Sequence, residues 1–245
     1  METVLKVDGL TKLYNNGRGV RDISFEVYKG DVFGFLGPNG AGKTTVMKAI
    51  TGLNAFKSGR VEILGFDVKT QFESALGKVG AIIETADLYE YMSAYNNLKI
   101  ASRFYKNIEK YSIDEILDIV QLTEFKNEKV SKFSLGMKQR LALALALISK
   151  PELVILDEPT NGLDIEGTVA MRNLIIELST TKGITFFVSS HLVHEIELMC
   201  NKVAIINNGQ LINNGENIKS IKEKYASLED FYMAEVKSTG GGIDE

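Results

Sequence analysis

Cysteine occurs once in the 245 residues, at Cys200. A single thiol excludes an internal disulfide and a thiolate metal cluster. Histidine occurs twice, at His191 and His194, too few for a histidine cage around a metal. Long apolar runs are also missing. The longest, Leu141 to Ile148, falls far short of the ~18 residues a membrane span needs, and the N-terminal METVLKVDGL lacks the apolar core of a signal peptide. The expectation is a soluble, cytoplasmic chain. Nor is there an excess of basic charge, since 28 Lys and Arg stand against 32 Asp and Glu for a net charge of −4. The overall balance therefore gives no electrostatic reason to expect nucleic acid as a partner.

What is present suits a globular fold. A hydrophobic fraction of 44% and a length near the upper end of a single domain imply one sizeable core, with room for a subdomain. The first third reads as short strands, Val4 to Val7, Ile23 to Val27, Val32 to Leu36 and Val61 to Leu64, with Gly9, Gly17, Gly19, Gly30 and Gly65 between them. Lys43 to Leu53 reads as a helix closing near Gly52. From Asp87 to Lys150 the pattern is helical, with Ser112 expected to cap a helix through Ile113, Ile116, Leu117 and Val120. LALALALI alternates like a strand, but Leu and Ala are strong helix formers, so a buried helix from Ser134 to Ser149 is expected.

Beyond Pro151 the chain alternates strand and helix: Leu153 to Leu156, a helix from an Asp164 cap to Lys182-Gly183, then a strand from Ile184. Such alternation implies a parallel sheet flanked by helices. Asn208-Gly209 is a hairpin signal, Ser227 to Asp230 a capping box opening a last helix, and Ser238 to Glu245 an expected mobile tail.

GPNGAGKTT, Gly37 to Thr45, follows an expected strand and opens an expected helix. That is the context of a phosphate-binding loop, Gly37 to Thr45 with Pro38, Asn39, Ala41 and Thr45 along it: Gly37, Gly40 and Gly42 let the backbone curl so that successive N–H groups point inward, and the helix N-terminus adds partial positive charge. Lys43 would reach the β- and γ-phosphates of a nucleoside triphosphate, and the Thr44 hydroxyl would bind Mg²⁺. LVILDEPT ends an apolar strand in two carboxylates that face opposite ways. Asp157 suits the metal or its water, and Glu158 suits a general base for the attacking water. In GAIIETADLYEYMSAYNNL a third apolar strand, Ala81 to Ile83, runs into the lone carboxylate Glu84 and then into Tyr89, Tyr91 and Tyr95.

Taken together, these residues resemble the ATP-binding subunit of ABC transporters over roughly Val4 to Gly215. Besides the phosphate loop and LVILDE, FSLGMKQR (Phe133 to Arg140) looks like the family's signature, NGLD (Asn161 to Asp164) like the loop after its catalytic carboxylate, and His191 like its switch histidine. Tyr14 falls where an aromatic stacks on adenine. The resemblance implies an α/β P-loop NTPase core with a mainly parallel sheet, an N-terminal antiparallel β subdomain and an inserted helical subdomain. Residues 1–86 and 151–205 would form the core and β subdomain, 87–150 the helical subdomain, 206–237 a C-terminal hairpin and helix, and 238–245 a tail. It also implies separate transmembrane permease subunits docking near Leu88 to Tyr95. A second copy or a paralogue would bring Ser134 and Gly136 to the γ-phosphate in an ATP-sandwich dimer at the cytoplasmic face of the membrane.

The signature departs from the usual pattern at Leu135 and Met137 but keeps Ser134 and Gly136. Lys138 and Arg140 so near a helix start oppose its dipole by ~0.3–1 kcal/mol each, so an anion is wanted there. Glu84 stands where the family normally has glutamine. A carboxylate is a hard oxygen ligand like the amide, but it adds a negative charge beside the phosphates, which metal would offset. Glu84 with SLGMKQ resembles the subgroup exporting bacitracin-like or lantibiotic peptides. A soluble ABC-type ATPase serving Fe–S assembly is the alternative that length leaves open. Two-cassette translation factors would need a second phosphate loop, and DNA-repair relatives would need a coiled coil between Lys43 and Asp157; neither is present.

Overall fold

The fold is seen in a computed structural model that describes residues 2–105 and 110–238. In chain order its elements are β1 (Thr3–Leu13), β2 (Gly19–Tyr28), β3 (Val32–Leu36), α1 (Lys43–Ile50), β4 (Ser58–Ile63), β5 (Phe66–Asp67), α2 (Phe72–Leu76) and β6 (Val79–Ile82). The central stretch holds α3 (Ala94–Ser102), α4 (Lys110–Ile119) and α5 (Leu135–Leu147). Then follow β7 (Leu153–Asp157), α6 (Ile165–Lys182), β8 (Thr185–Ser190), α7 (Val193–Met199), β9 (Lys202–Asn207), β10 (Gln210–Asn217), α8 (Ile218–Lys224) and α9 (Leu228–Ser238).

Every residue of β3, β7 and β8 is buried, as parallel strands covered on both faces require. They form the middle of a six-stranded sheet ordered β10-β9-β3-β8-β7-β6, parallel except for the β9–β10 hairpin. The period of two divides each strand between two cores. Val32 and Leu36, Val154 and Leu156, and Phe186 and Val188 face the helical side with α5 and α6. Phe33, Phe35, Leu153, Ile155 and Phe187 face the other side, where α1 and an antiparallel four-stranded sheet, β2-β1-β4-β5, close over them. There Phe25 of β2 stacks on Phe187 at 5.3 Å and on Phe33 at 5.6 Å, each ring burial contributing ~1.5–3 kcal/mol. Helix α1 thus lies between the two sheets, its Val46, Met47, Ala49 and Ile50 fully covered.

The LALALALI conflict resolves as a helix, α5, in which Leu141, Ala142, Leu143 and Ala144 are all buried, the all-round apolar pattern of a covered helix built from strong helix formers. Its packing is close: a Cβ on Gly80 would stand 2.1 Å from the Ala146 carbonyl oxygen, so β6 lies directly against the α5 backbone. Asp164 caps α6 by accepting from Gly167 N–H at 2.8 Å, and Gly183 ends it with φ 67. Asn208 and Gly209, with φ 46 and 76, make the β9–β10 turn. Ser227 accepts from Asp230 N–H at 3.1 Å, opening α9. Its hydroxyl donates to the Asp230 carboxylate at 2.8 Å, a shorter reach than the return bond of a full capping box.

Three expectations shift. Helix α4 already runs at Lys110, so Ser112 lies inside it and is not its cap. Strand β1 continues past Val7 to Leu13 by bulging at Val7 to Leu10 against β2. The third apolar strand starts at Val79 and stops at Ile82, leaving Ile83 outside it. Helices α7 and α8 are short and weakly patterned, and were not foreseen. The expected tail beyond Ser238 lies outside the described residues.

Candidate functional site

Strand order decides which side chains meet. Reading from β3 through β8 and β7 to β6, the carboxyl edge of the sheet presents Gly37, His191, Glu158 and, two residues beyond β6, Glu84. Such an edge is where open α/β sheets bind ligands.

The loop from Gly37 to Gly42 is forced into its path by close neighbours. A Cβ on Gly37 would stand 2.2 Å from the Ile206 carbonyl oxygen, and one on Gly42, with φ 111, would stand 2.5 Å from Val20. Gly42 is the N-cap residue of α1 and gives it no side-chain cap, and the first turn carries no acidic residue. The positive end of α1 is therefore left to an external anion, in line with the expected phosphate cradle. Pro38 and Ala41 close the turn through Ala41 N–H to Pro38 C=O at 3.1 Å, while Asn39 and Gly40 are exposed at its tip. Thr45 lies in the first turn of α1.

Lys43, only 6% exposed, sends its ammonium back over the loop, donating to the carbonyls of Gly37 at 2.7 Å and Pro38 at 3.2 Å. It also stands 3.1 Å from Glu158 Oε1. That contact is an ion pair outside hydrogen-bonding alignment, so Oε1 is a buried carboxylate oxygen whose lone pairs no donor fills. The other oxygen, Oε2, accepts from His191 Nδ1 at 2.7 Å, which leaves the far ring nitrogen free. Glu158 takes a left-handed backbone, φ 50, a conformation that costs a non-glycine residue of order 1–3 kcal/mol.

Asp157 is held at both oxygens. Thr44 Oγ1 donates to Oδ2 at 2.8 Å across the sheet edge, and Ser189 Oγ donates to Oδ1 at 2.5 Å. The same Ser189 oxygen accepts from Glu158 N–H at 3.0 Å. One fully buried hydroxyl on β8 therefore ties down both carboxylates that end β7. Thr44 and Asp157 form a hard-oxygen pair of the chemistry Mg²⁺ takes. Among the described residues no three His, Cys, Asp or Glu side chains gather to hold a metal unaided. A metal at this pair would complete its shell from phosphate and water.

Glu84, at the same sheet edge, is held by α1. It also has a left-handed backbone, φ 66, and its carboxylate accepts from Lys48 Nζ at 2.7 Å. The counter-charge that the sequence left to metal is supplied here by a lysine on α1. That hydrogen bond, with further fields from Tyr14 and Asp157, holds Lys48 above the ordinary lysine range despite partial desolvation. Tyr14 follows β1 as a 42% exposed ring, with Lys12 Nζ 5.2 Å from its centroid and Asn54 donating to its hydroxyl at 3.1 Å.

Ser134 and Gly136 lie apart from the phosphate loop. They line a cleft with Gly162 and Leu163 from the loop after Glu158 and Gly167 from the first turn of α6. Ser134 caps α5, accepting from Met137 N–H at 3.2 Å. The anion wanted by Lys138 is Glu90, with which it pairs directly. Arg140, whose partial burial lowers its affinity for a proton, donates to Gln121 at 3.5 Å. His194 is exposed on α7 and touches none of these groups.

The tyrosine segment divides. Leu88 and Tyr95 pack against the core, while Tyr89 and Tyr91, 48% and 67% exposed, project together with their rings edge to face at 6.1 Å. Beside them Phe104 and Tyr105 are exposed around a cleft that reaches Leu145 and Ile148. Sequence reasoning missed Ser189 and Lys48. Ser189 could have been found as a polar residue at the end of an apolar strand. Lys48 stands four residues after Thr44, on the same helical face.

A phosphate loop, a strand-end carboxylate pair, a histidine just past the neighbouring strand and a separate capped signature helix define an ATP-binding cassette. The model of the ABC transporter family matches residues 20–161, and the chain belongs to that family. It is 42% identical to the bacitracin transport ATP-binding protein BcrA of Bacillus licheniformis, over 94% of this chain and 76% of that one. It is 39% identical to the lantibiotic transport ATP-binding protein SrtF of Streptococcus pyogenes, over 85% of this chain and 89% of that one. A solved ATP-binding subunit of an ABC transporter superposes with a TM-score of 0.82 at 27% identity, covering 96% of this chain and all of that one. The chain is accordingly an ATPase cassette that couples ATP hydrolysis to transport. Among the described residues no helix is long and apolar enough to cross a membrane.

Proposed function

We propose that this cassette drives the export of antimicrobial peptides or similar amphiphiles, giving self-protection or resistance. Support comes from the bacitracin and lantibiotic names of relatives similar over most of the chain, together with Glu84 at the end of the β6 segment.

ATP would lie on the phosphate loop with its base against Tyr14 and its phosphates against the backbone of residues 37–45 and the Lys43 ammonium. Thr44, Asp157 and Glu84 would hold Mg²⁺, which supplies charge neutralisation of the phosphates when bound. Lys43 would exchange its contacts with Gly37, Pro38 and Glu158 for phosphate oxygens. Glu158 would then accept a proton from the attacking water at Oε1, the buried oxygen that lacks a donor, while His191 holds Oε2 and turns its free nitrogen toward the γ-phosphate. The hydrogen-bond-poor Oε1 beside Lys43 is the observation that carries this assignment.

The separation of Ser134 and Gly136 from the phosphate loop supports a head-to-tail pair of cassettes in which one copy's α5 closes the other's site. Tyr89 and Tyr91, with Phe104 and Tyr105, form the surface proposed to receive transmembrane subunits. Residues 87–150 would move as the helical subdomain that carries both features.

The test is to purify the cassette with its membrane subunits and measure ATP turnover against bacitracin, a lantibiotic and an unrelated cationic peptide. Stimulation by the first two classes supports the reading. Equal response to all three, or co-purification with a soluble scaffold in place of membrane subunits, overturns it.

A further inference from the structure

Glu84 puts a negative charge where a triphosphate is to be bound, and the structure shows what stands against it. Lys48 Nζ lies 2.7 Å from Glu84 Oε1, with the lysine 27% and the glutamate 61% exposed. Lys48 is one helical turn beyond Thr44 on α1, so it sits on the face of α1 that Thr44 turns toward Asp157. The segment it holds is anchored at its other end too. Glu90 pairs with Lys138 of α5, and its carbonyl accepts from Ser131 N–H at 2.8 Å. Residues 84–90 thus run from the phosphate-loop helix to the signature helix, with an ion pair at each end.

We infer that Lys48 is a positioning residue for this reaction: it is the standing counter-charge of Glu84, making a carboxylate tolerable beside ATP and tying the residue 84–90 segment to the phosphate-loop helix. The inference rests on the ATP-binding reading of the loop. Removing the lysine leaves Glu84 facing the phosphates uncompensated. Removing Glu84 as well removes the repulsion. The two positions are therefore coupled, and coupling is what separates this role from a merely structural lysine.

The experiment is a double-mutant cycle on the full chain, using Lys48→Met, Glu84→Gln and the double variant. The readout is binding of ATP in EDTA, so that metal takes no part. Lys48→Met is expected to weaken metal-free ATP binding roughly three- to tenfold, the effect shrinking as salt is raised. In the Glu84→Gln background the same change should cost less than about twofold. Lys48→Arg, which keeps the charge, should restore most of the binding, and it also answers a loss caused by poor folding. Equal losses in both backgrounds, or no loss in either, overturn the proposal. If the unaltered chain binds ATP while the cycle is additive, Lys48 alone has been misread; if the unaltered chain does not bind ATP, the nucleotide site fails and the proposal with it.

Discussion

Glu158 Oε2 and His191 Nδ1 stand 2.7 Å apart at the ends of neighbouring parallel strands. The relation follows from topology: β7 and β8 pair in register, Asp157 opposite Ser189, so Glu158, one residue on, and His191, two residues on, leave their strands at the same edge. His191→Ala should leave ATP binding within about twofold and cut turnover by roughly 10²-fold, since it removes the group that orients the proposed base. Equilibrium binding and steady-state phosphate release check the split.

Ser189 secures the same pair from beneath. Ser189→Ala leaves Asp157 Oδ1 and the Glu158 N–H, both at the sheet edge, without their shared partner. A hydrogen bond to a charged group contributes about 1.5–3 kcal/mol, so a fall in thermal midpoint should accompany slower turnover. Calorimetry and single-turnover hydrolysis measure the two effects. A normal thermal midpoint with normal turnover would remove Ser189 from the account.

Lys48 gives a prediction in pH. Its raised proton affinity comes first from the hydrogen bond to Glu84, so Glu84→Gln should move it down toward the ordinary lysine value. A lysine raised on folding contributes stability that is fully present below its unfolded value and is lost as pH rises through the folded one. The pair therefore holds throughout the neutral range and weakens only in alkali. Side-chain NMR of ¹⁵N-labelled lysine follows both the shift and its loss in the variant.

Gly80→Ala tests the link between β6 and α5. The added methyl meets the Ala146 carbonyl oxygen at 2.1 Å, a backbone atom that can yield only by moving the helix. Destabilisation of about 1–3 kcal/mol, with weakened protection of α5 amides, is expected by chemical denaturation and hydrogen exchange.

The legible part of this molecule was local. The phosphate loop, the α6 caps Asp164 and Gly183 and the Asn208-Gly209 turn each carry their geometry in a few adjacent residues, and the structure returns them where they were read. Strand order was not legible. It is set by which apolar faces cover one another, and no single segment encodes it. For that reason Asp157 could be placed at a strand end, while its clamp between Thr44 and Ser189 could not. The charge of Glu84 was visible and its answer was not, because Lys48 looks like any solvated lysine until β6 brings position 84 beside α1. Likewise the cationic start of α5 calls for an anion, and what the sequence does not show is that Glu90, 48 residues earlier in the chain, meets Lys138.

Phosphate release by Glu158→Gln tests the central assignment most directly. With Mg²⁺ and ATP, the variant should bind nucleotide with affinity near that of the unaltered chain and release phosphate at least roughly 10²-fold more slowly. It should also accumulate as an ATP-loaded dimer on size exclusion. Turnover close to that of the unaltered chain would contradict the account, because Glu158 Oε1 would then not be the oxygen that takes the proton.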